Sequence, residues 1–333
     1  MKKCFIFIRV VCFCALLIGI LGYLSNILSS TKIEEYPVRY GFFQNINAEA
    51  DNTIDIFFVG DSSVMHAINP VQIWKESKIT SYNMSYSVME PKEAYFDLKK
   101  VFKKQSPKYV FIEAQFLIGL NKGGFDFFST ATQNIMDYCD NEIEGVIDSY
   151  FPVMKYKSSW KTLHPADLLP NHPDAINSIY KGYKYAPEVD SFLGIHGQKD
   201  NGTAVFKNNG NIYFEKIYNL CQENNCEVVL FNLPQGVSWN KIKHDKAFEL
   251  AKKYNVSYID YDLNLETEIP DFSWKTDTKD AGGHLNYSGA TKLTSAIEKY
   301  LTDELNMNNS SLTSKNVDKW NNDANEFYKV IGD

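Results

Sequence analysis

Short runs of apolar residues alternate along this chain with segments whose apolar positions recur every three or four residues. The clearest run spans residues 54–59 and contains isoleucine, phenylalanine and valine around a single aspartate. Similar runs predict further strands at 79–83, 109–113, 227–233 and 256–260. Continuous apolar runs are typical of strands that are buried on both faces, as they are in parallel sheets.

The segments between these runs have helical periodicity. One helix is predicted from Pro91, because proline is tolerated in the first turn, and Ala94, Leu98 and Val101 then share a face. Other helices are predicted near 70–76, over 212–222, over 244–254 and after the last strand, with these inward residues: Phe214, Ile217, Leu220 and Cys221; Ala247, Phe248 and Ala251; Ala290, Leu293, Ile297 and Leu301. Strands that alternate with helices predict an α/β fold with a doubly wound parallel sheet.

The first 30 residues have a different pattern. Residues 4–24 are almost entirely apolar and are about as long as a helix that spans a bilayer. The basic residues at its start, Lys2, Lys3 and Arg9, predict a cytoplasmic N-terminus and a chain that continues outside the cell. The alternative is a cleaved signal peptide, because the apolar core is short and small serines follow it. We predict a single-pass membrane anchor over 1–30.

Composition limits the partners of the exported part. The chain has 333 residues, of which 44% are apolar, enough for one large core over about 50–305. Residues 1–30 hold three of the 34 Lys and Arg and no acid, so 31 bases face 41 acids elsewhere, a net charge of −10. Such a surface is unsuited to nucleic acid, which needs a basic face. The six histidines are scattered, so we expect no metal site and no cofactor.

Two regions interrupt the regular alternation. Residues of about 117–205 are rich in aromatics and prolines, and we interpret them as an insertion beside the carboxyl edge of the sheet. This insertion is either a cap over a substrate or an irregular structural flap. The C-terminal tail, 306–333, is rich in asparagine and serine and predicts a short amphipathic helix near 317–330, which either packs on the domain or stays mobile.

The candidate chemistry lies at the two ends of the predicted domain. The first strand ends abruptly in Gly60-Asp61-Ser62, the way in which a nucleophilic serine is presented at the edge of a sheet. Far downstream, His284 follows an acidic pair, Asp277 and Asp280, in a loop softened by glycines. A serine, a base and an orienting carboxylate form a hydrolytic or acyl-transfer site. The alternative for Ser62 is a helix cap, a role that both Asp and Ser fill well.

These two blocks resemble the first and last motifs of the SGNH (GDSL-like) hydrolase and acyltransferase superfamily, more narrowly its membrane-anchored bacterial branch that handles cell-surface polymers. The resemblance covers about 50–305 and implies a flavodoxin-like sheet. It also implies Ser62 as the nucleophile, His284 as the base and Asp280 or Asp277 as the acid. The family places the acid three residues before the histidine, but this chain has Ala281 there.

The oxyanion donors also depart from the family pattern. Gly60, Asn83 and Ser85 are the candidates, with Ser85 where the family has a glycine. No Gly-x-Asn follows the third strand, where this chain has Glu113-Ala114-Gln115. Trp239 and His244 follow the fourth strand of the sheet, so they are candidates for substrate contact, with packing of Trp239 as the alternative.

The resemblance implies an extracytoplasmic serine enzyme that transfers or removes an O-acyl group, expected to be acetyl, on a cell-envelope glycan. It further implies a multispanning membrane-bound O-acyltransferase as a partner that supplies the acyl group. The alternative from another class is a non-catalytic SGNH-like protein that assembles the envelope or binds glycan. The displaced acid and the missing asparagine favour this alternative.

Overall fold

The computed structural model describes residues 2–30, 45–87, 89–121, 178–197, 202–236, 238–308 and 310–332. Its strands, in chain order, are β1 (Ile56–Gly60), β2 (Ser81–Ser85), β3 (Tyr109–Glu113), β4 (Ile118–Asn121), β5 (Thr203–Phe206), β6 (Glu227–Asn232), β7 (Ser257–Asp260), β8 (Thr278–Lys279) and β9 (His284–Leu285). Its α-helices are α1 (Lys2–Ser30), α2 (Ser62–Ala67), α3 (Pro70–Ser77), α4 (Pro91–Val101), α5 (Ala114–Leu117), α6 (Gly210–Glu223), α7 (Lys241–Tyr254), α8 (Leu265–Glu268), α9 (Tyr287–Lys299) and α10 (Ser314–Ile331).

The central sheet confirms the predicted fold class. Its five strands are parallel and lie in the order β2-β1-β3-β6-β7, which is the flavodoxin-like order of a doubly wound sheet. After β1 the chain adds β2 on one side and then β3 on the other. The order therefore reverses at β1 and β3, and the crevice beyond their carboxyl ends is where open α/β sheets bind ligands.

Each face of the sheet is covered by a separate apolar core. Successive side chains of a strand point to opposite faces, so Phe57 and Val59 join one core while Ile56 and Phe58 join the other. Helices α4, α6, α7 and α10 contribute to the first core, and α2 and α9 contribute to the second. Burial on both faces explains why the strands are continuous apolar runs.

Most predicted elements occur within a few residues of their expected positions, and two details differ. The second strand is Ser81–Ser85 rather than 79–83, because Ser85 pairs with Gly60 at the end of β1. Phe248 was expected to face inward, but 57% of it is exposed. The inward stripe of α7 consists of Lys243, Ala247, Leu250 and Ala251, and this 3.6-residue period leaves Phe248 outside it.

The C-terminal tail forms part of the folded domain. On α10, Trp320, Ala324 and Phe327 are buried, and the Trp320 ring lies 5.4 Å from that of Trp74. The buried ammonium of Lys181 bonds carboxylates on both sides, Glu49 Oε1 at 2.6 Å and Asp323 Oδ2 at 2.5 Å. The tail therefore packs on the domain, which was one of the two expected outcomes.

The two ends of the predicted insertion pair with each other. Strands β4 and β5 form an antiparallel ribbon in which Ile118 faces Phe206. Residues 178–197 return to the carboxyl edge of the sheet, whereas 122–177 and 198–201 lie outside the described residues. The substrate cap and the structural flap stay predictions for that part.

One helix of the described chain is long and apolar enough to cross a membrane. Its apolar segment spans Phe5–Leu24 with a mean hydropathy of 2.7, and none of that segment is buried inside the protein. Length and composition thus agree with the predicted anchor.

Candidate active site

The structure presents Ser62 at the carboxyl end of β1, where the sheet order reverses. Asp61 caps α2 by accepting a hydrogen bond from Ser63 N at 3.0 Å, and Ser62 is the first residue of that helix. Gly60 is required before this turn because an added Cβ would lie 2.4 Å from Val64 Cγ2 and 2.9 Å from Glu113 Oε2. A strand that ends in a tight helical turn therefore exposes the serine hydroxyl.

Ser62, His284 and Asp280 are joined by two hydrogen bonds. Ser62 Oγ lies 2.9 Å from His284 Nε2, and His284 Nδ1 lies 2.9 Å from Asp280 Oδ2. Partial burial raises the pKa of Asp280. Its hydrogen bond to His284 and the charge of Lys279 lower that pKa by more, so the pKa lies below its ordinary value. The carboxylate is therefore ionised, as a group that orients and stabilises an imidazolium must be.

A left-handed turn explains how an acid four residues before the histidine reaches it. Asp280, Ala281 and Gly282 all have positive φ, at 53°, 51° and 86°. Asp280 accepts the backbone N–H of Gly283 at 3.1 Å, which closes the turn. Ala281 occupies the sequence position where the family has its acid. Because the turn is left-handed, it is the Asp280 side chain that reaches His284 Nδ1.

This turn supports a stability prediction. The left-handed region costs a residue with a Cβ roughly 1 kcal/mol, and glycine adopts it without that cost. We therefore expect Ala281→Gly to raise the free energy of unfolding by about 1 kcal/mol in urea denaturation. Ala296→Gly, inside α9, is the matched control and should lower it by about 1 kcal/mol. A loss of stability in both variants would contradict the strained turn.

The alternative acid, Asp277, is placed elsewhere. Its buried carboxylate bonds Ser273 N at 2.7 Å, Ser288 Oγ at 2.7 Å and Lys292 Nζ at 2.8 Å. Burial raises the pKa of Asp277, but these hydrogen bonds and the Lys292 charge together hold it below its ordinary value. Asp277 therefore ties the start of α9 to the preceding loop, and its side chain is occupied away from His284.

Residues 186–197, which we term the strap, hold the triad loop in place. Asp190 exchanges backbone and side-chain hydrogen bonds with Thr278, and its Oδ2 accepts the N–H of Ala281 at 3.0 Å. The Phe192 ring lies against Gly282, where an added Cβ would meet it at 2.8 Å. The last part of the predicted insertion thus fixes the turn that carries Asp280.

His66 packs directly against the candidate base. Its ring centroid lies 4.9 Å from that of His284. Burial and then the neighbouring His284 lower the pKa of His66 to about 3. His66 is therefore neutral at neutral pH, and the charge that His284 acquires during proton transfer faces an uncharged ring.

The candidate oxyanion groups fall into two classes. The amide of Asn83 donates to the carbonyl of Ile68 at 2.7 Å, so it braces the end of α2. Ser85 lies beside Gly60 in the sheet register, and its buried hydroxyl has no hydrogen-bond partner in the part of the chain that the structure describes. Ser81, at the other end of the same strand, also has a buried hydroxyl to spare, but it is Ser85 that lies beside the end of β1, next to the candidate nucleophile.

Trp239 and His244 meet on a different carboxylate. Trp239 Nε1 lies 2.8 Å and His244 Nδ1 2.6 Å from Asp260 Oδ2, at the end of β7. Strand β7 is three strands from β1, a distance of roughly 14 Å at about 4.8 Å per strand. Trp239 is buried, so the packing alternative describes it, and the structure does not bring this pair to Ser62.

Three residues near the site were not predicted as site residues. Asp190 and Phe192 lie in the irregular strap, where no periodicity marks them. Glu113 is fully buried beside Gly60. A charged residue that ends a buried apolar strand was a signal for it. Among the described residues, no group of three or more His, Cys, Asp or Glu could hold a metal ion.

The arrangement has the parts that acyl transfer needs. The His284 ring can take the Ser62 proton at Nε2 while its Nδ1–H is held by the ionised Asp280, which fixes the tautomer. The partly exposed triad lies at the sheet edge, where an ester can reach it.

No protein-family model matches this sequence, and no curated protein does. Several solved structures are similar to the chain. They include the psychrotrophic esterase EstA from Pseudoalteromonas sp. (10% identity, 76% of this chain and 100% of that chain, TM-score 0.38). A proposed GDSL-like lipase from Parabacteroides merdae matches at 12% identity (76% and 97%, TM-score 0.37). A mutant of Axe2, an acetyl-xylooligosaccharide esterase from Geobacillus, matches at 11% (75% and 94%, TM-score 0.33). Because these identities and TM-scores are low, the function is inferred from the geometry of the site.

Proposed function

We propose that this chain is a serine acyl enzyme of the SGNH type that transfers O-acyl groups to a cell-envelope glycan. The observation that carries the proposal is the pair of 2.9 Å contacts that link Ser62 Oγ to His284 Nε2 and His284 Nδ1 to Asp280 Oδ2. A nucleophile, a base and an orienting group in hydrogen-bond reach are the signature of covalent catalysis.

The proposed reaction has two halves. In the first, Ser62 Oγ attacks the ester carbonyl while His284 Nε2 takes its proton, and the same nitrogen then returns that proton to the departing alkoxide. An acyl group remains on Ser62 as an ester. In the second, His284 deprotonates a sugar hydroxyl or water, which attacks this ester, and Ser62 recovers its proton. Asp280 keeps the imidazolium oriented throughout.

Three features support transfer on a glycan outside the cell. The apolar helix Phe5–Leu24 has basic residues before it, the pattern of an N-terminus that stays in the cytoplasm. The remaining domain carries a net charge of −10, which suits an exported soluble surface. A membrane tether raises the effective concentration of a lipid-embedded acyl donor, whereas hydrolysis by water gains nothing from it. The donor partner of this proposal is a membrane-bound O-acyltransferase.

The test compares acyl transfer with hydrolysis. The full chain in lipid nanodiscs receives an activated acetyl ester and fragments of envelope glycan. We expect acetylated glycan by mass spectrometry and a transient gain of one acetyl group on the peptide that contains Ser62. Ser62→Ala protein is the control for uncatalysed transfer. If free acetate were the sole product with every acceptor, the transferase proposal would be wrong and the protein would be an esterase.

The alternative is a non-catalytic envelope or glycan-binding protein with the same fold. The occupied amide of Asn83 and the missing Gly-x-Asn favour it, since loss of one oxyanion donor typically costs about 3 kcal/mol of transition-state stabilisation. A fluorophosphonate probe separates the two, because only an activated serine forms the covalent adduct. Labelling of the wild-type protein and not of Ser62→Ala supports the enzyme.

A further inference from the structure

A buried carboxyl group lies behind the nucleophile turn and has no role in the triad. Glu113 ends β3 with none of its surface exposed. Its Oε2 lies 3.2 Å from Ser63 Oγ, and its Oε1 accepts a 2.7 Å hydrogen bond from Gln235 Nε2. The same Oε2 would lie 2.9 Å from a Cβ at Gly60. Glu113 therefore packs against Gly60 and contacts Ser63, which precede and follow Ser62 in the sequence.

The hydrogens at this cluster can be counted. Ser63 Oγ lies 2.5 Å from Asp61 Oδ1, a short contact that takes the single hydrogen of the hydroxyl to the aspartate. The 3.2 Å contact between Ser63 Oγ and Glu113 Oε2 then joins two oxygens with no hydrogen left between them. A proton on Glu113 Oε2 resolves this, because a protonated carboxyl is a donor.

The other oxygen of Glu113 fits the same assignment. The Gln235 carbonyl oxygen accepts hydrogen bonds from Gln115 Nε2 and Ser238 Oγ, so its NH₂ group points to Glu113 Oε1. Oε1 is thus the carbonyl oxygen that accepts, and Oε2 is the hydroxyl that donates. The chain of donors runs from Glu113 through Ser63 to the Asp61 carboxylate.

The charges around Glu113 favour its neutral form. Burial and then the nearby Asp61 carboxylate raise its pKa to about 8, against the weaker opposing influence of the Lys207 charge and of the contacts with Ser63 and Gln235. A carboxyl group in such surroundings keeps its proton at neutral pH.

We propose that protonated Glu113 is a positioning residue that, through Ser63 and Asp61, locks the turn carrying Ser62 in its reactive geometry. This inference rests on the proposed function, because it assigns the turn a catalytic purpose. When Glu113 loses its proton, two carboxylates face each other across one hydroxyl, and the Glu113 hydrogen bond to Ser63 is lost. The repulsion opens the turn and withdraws Ser62 from His284.

The first test is the pH profile of Ser62 labelling by a fluorophosphonate. If only the protonated form is reactive, the wild-type labelling rate should fall about tenfold between pH 7 and pH 9, as the titration of one group near pH 8 requires. Glu113→Gln keeps both hydrogen bonds with a neutral amide, so its rate should match wild type at pH 7 and not fall by pH 9. Glu113→Ala should be slow at every pH, and the exposed Glu249→Gln should follow wild type.

The second test needs no activity. The pKa of Glu113 is higher in the folded chain than its ordinary value of 4.5. The stability that protonated Glu113 contributes to the folded chain is therefore complete below about pH 4.5 and is lost as pH rises to about 8. Glu113→Gln has no such loss. The difference between its melting temperature and that of wild type should therefore increase in favour of the variant from pH 5 to pH 8 and then stay constant.

The outcomes separate the two proposals. An alkaline fall in labelling that persists in Glu113→Gln, or a melting difference that does not change with pH, overturns the role of Glu113. A wild-type protein that is not labelled at any pH overturns the proposed function instead, and the melting curves still decide whether Glu113 is protonated.

Discussion

Ser62→Ala and His284→Ala should each reduce turnover of a small acyl ester by about 10⁴-fold or more, because the two side chains act as one unit. The 2.9 Å contact between Ser62 Oγ and His284 Nε2 makes each useless to the first chemical step without the other. The double variant should therefore be hardly slower than either single variant. Steady-state kinetics with an activated acetyl ester measure all three losses.

The control for this experiment is Ser106→Ala. This exposed serine bonds the side chain of Asn52, so its removal should leave the rate unchanged. Circular dichroism and melting curves establish that each variant is folded. Losses that add strictly in the double variant, or a Ser62→Ala protein that retains full activity, would show that the pair is not the catalytic unit.

Asp280→Asn and Asp277→Asn should have opposite consequences. Asp280 holds His284 Nδ1 at 2.9 Å, so an amide there favours the wrong tautomer and should lower kcat by about 10²–10⁴-fold. The Asp280 side chain is 56% exposed, so its loss should leave stability almost unchanged. We expect melting temperatures within 2 °C or so of wild type, the range of ordinary surface substitutions.

Asp277→Asn should act on stability instead. Its carboxylate has no exposed surface and pairs with Lys292 at 2.8 Å, and breaking a buried pair typically costs about 3–5 kcal/mol. The urea midpoint should fall clearly, while the folded fraction should retain a kcat close to wild type. If Asp277→Asn proved the inactive but stable variant, the acid of the triad would be Asp277, and the left-handed turn at 280–282 would need another purpose.

Local sequence patterns were sufficient to predict the sheet and the place of the candidate nucleophile. Buried strands such as 109–113 are marked by their own apolar side chains, and Tyr109–Glu113 forms as predicted. Alternation with helices implies a parallel sheet, and the abrupt end of the strand at Gly60-Asp61-Ser62 places the serine at the carboxyl edge of that sheet. These properties follow from residues close together in the chain, where periodicity and turn chemistry are informative.

The choice between the two candidate acids needed the tertiary structure. Spacing alone left Asp280 and Asp277 open, because it does not show that three consecutive residues adopt positive φ. The strap contacts this turn through Asp190 and Phe192, which lie about 90 residues earlier in the chain. Contacts of such sequence separation have no local signature.

The same reason accounts for the other differences. Trp239 and His244 follow a strand that ends at the correct edge, but their common partner Asp260 lies on the outermost strand, away from Ser62. The protonation of Glu113 depends on its burial and on the Asp61 carboxylate, both of which exist only once β1 and β3 are paired. Local sequence determines which residues form strands and turns, whereas long-range packing determines which charged groups meet and which of them keep a proton.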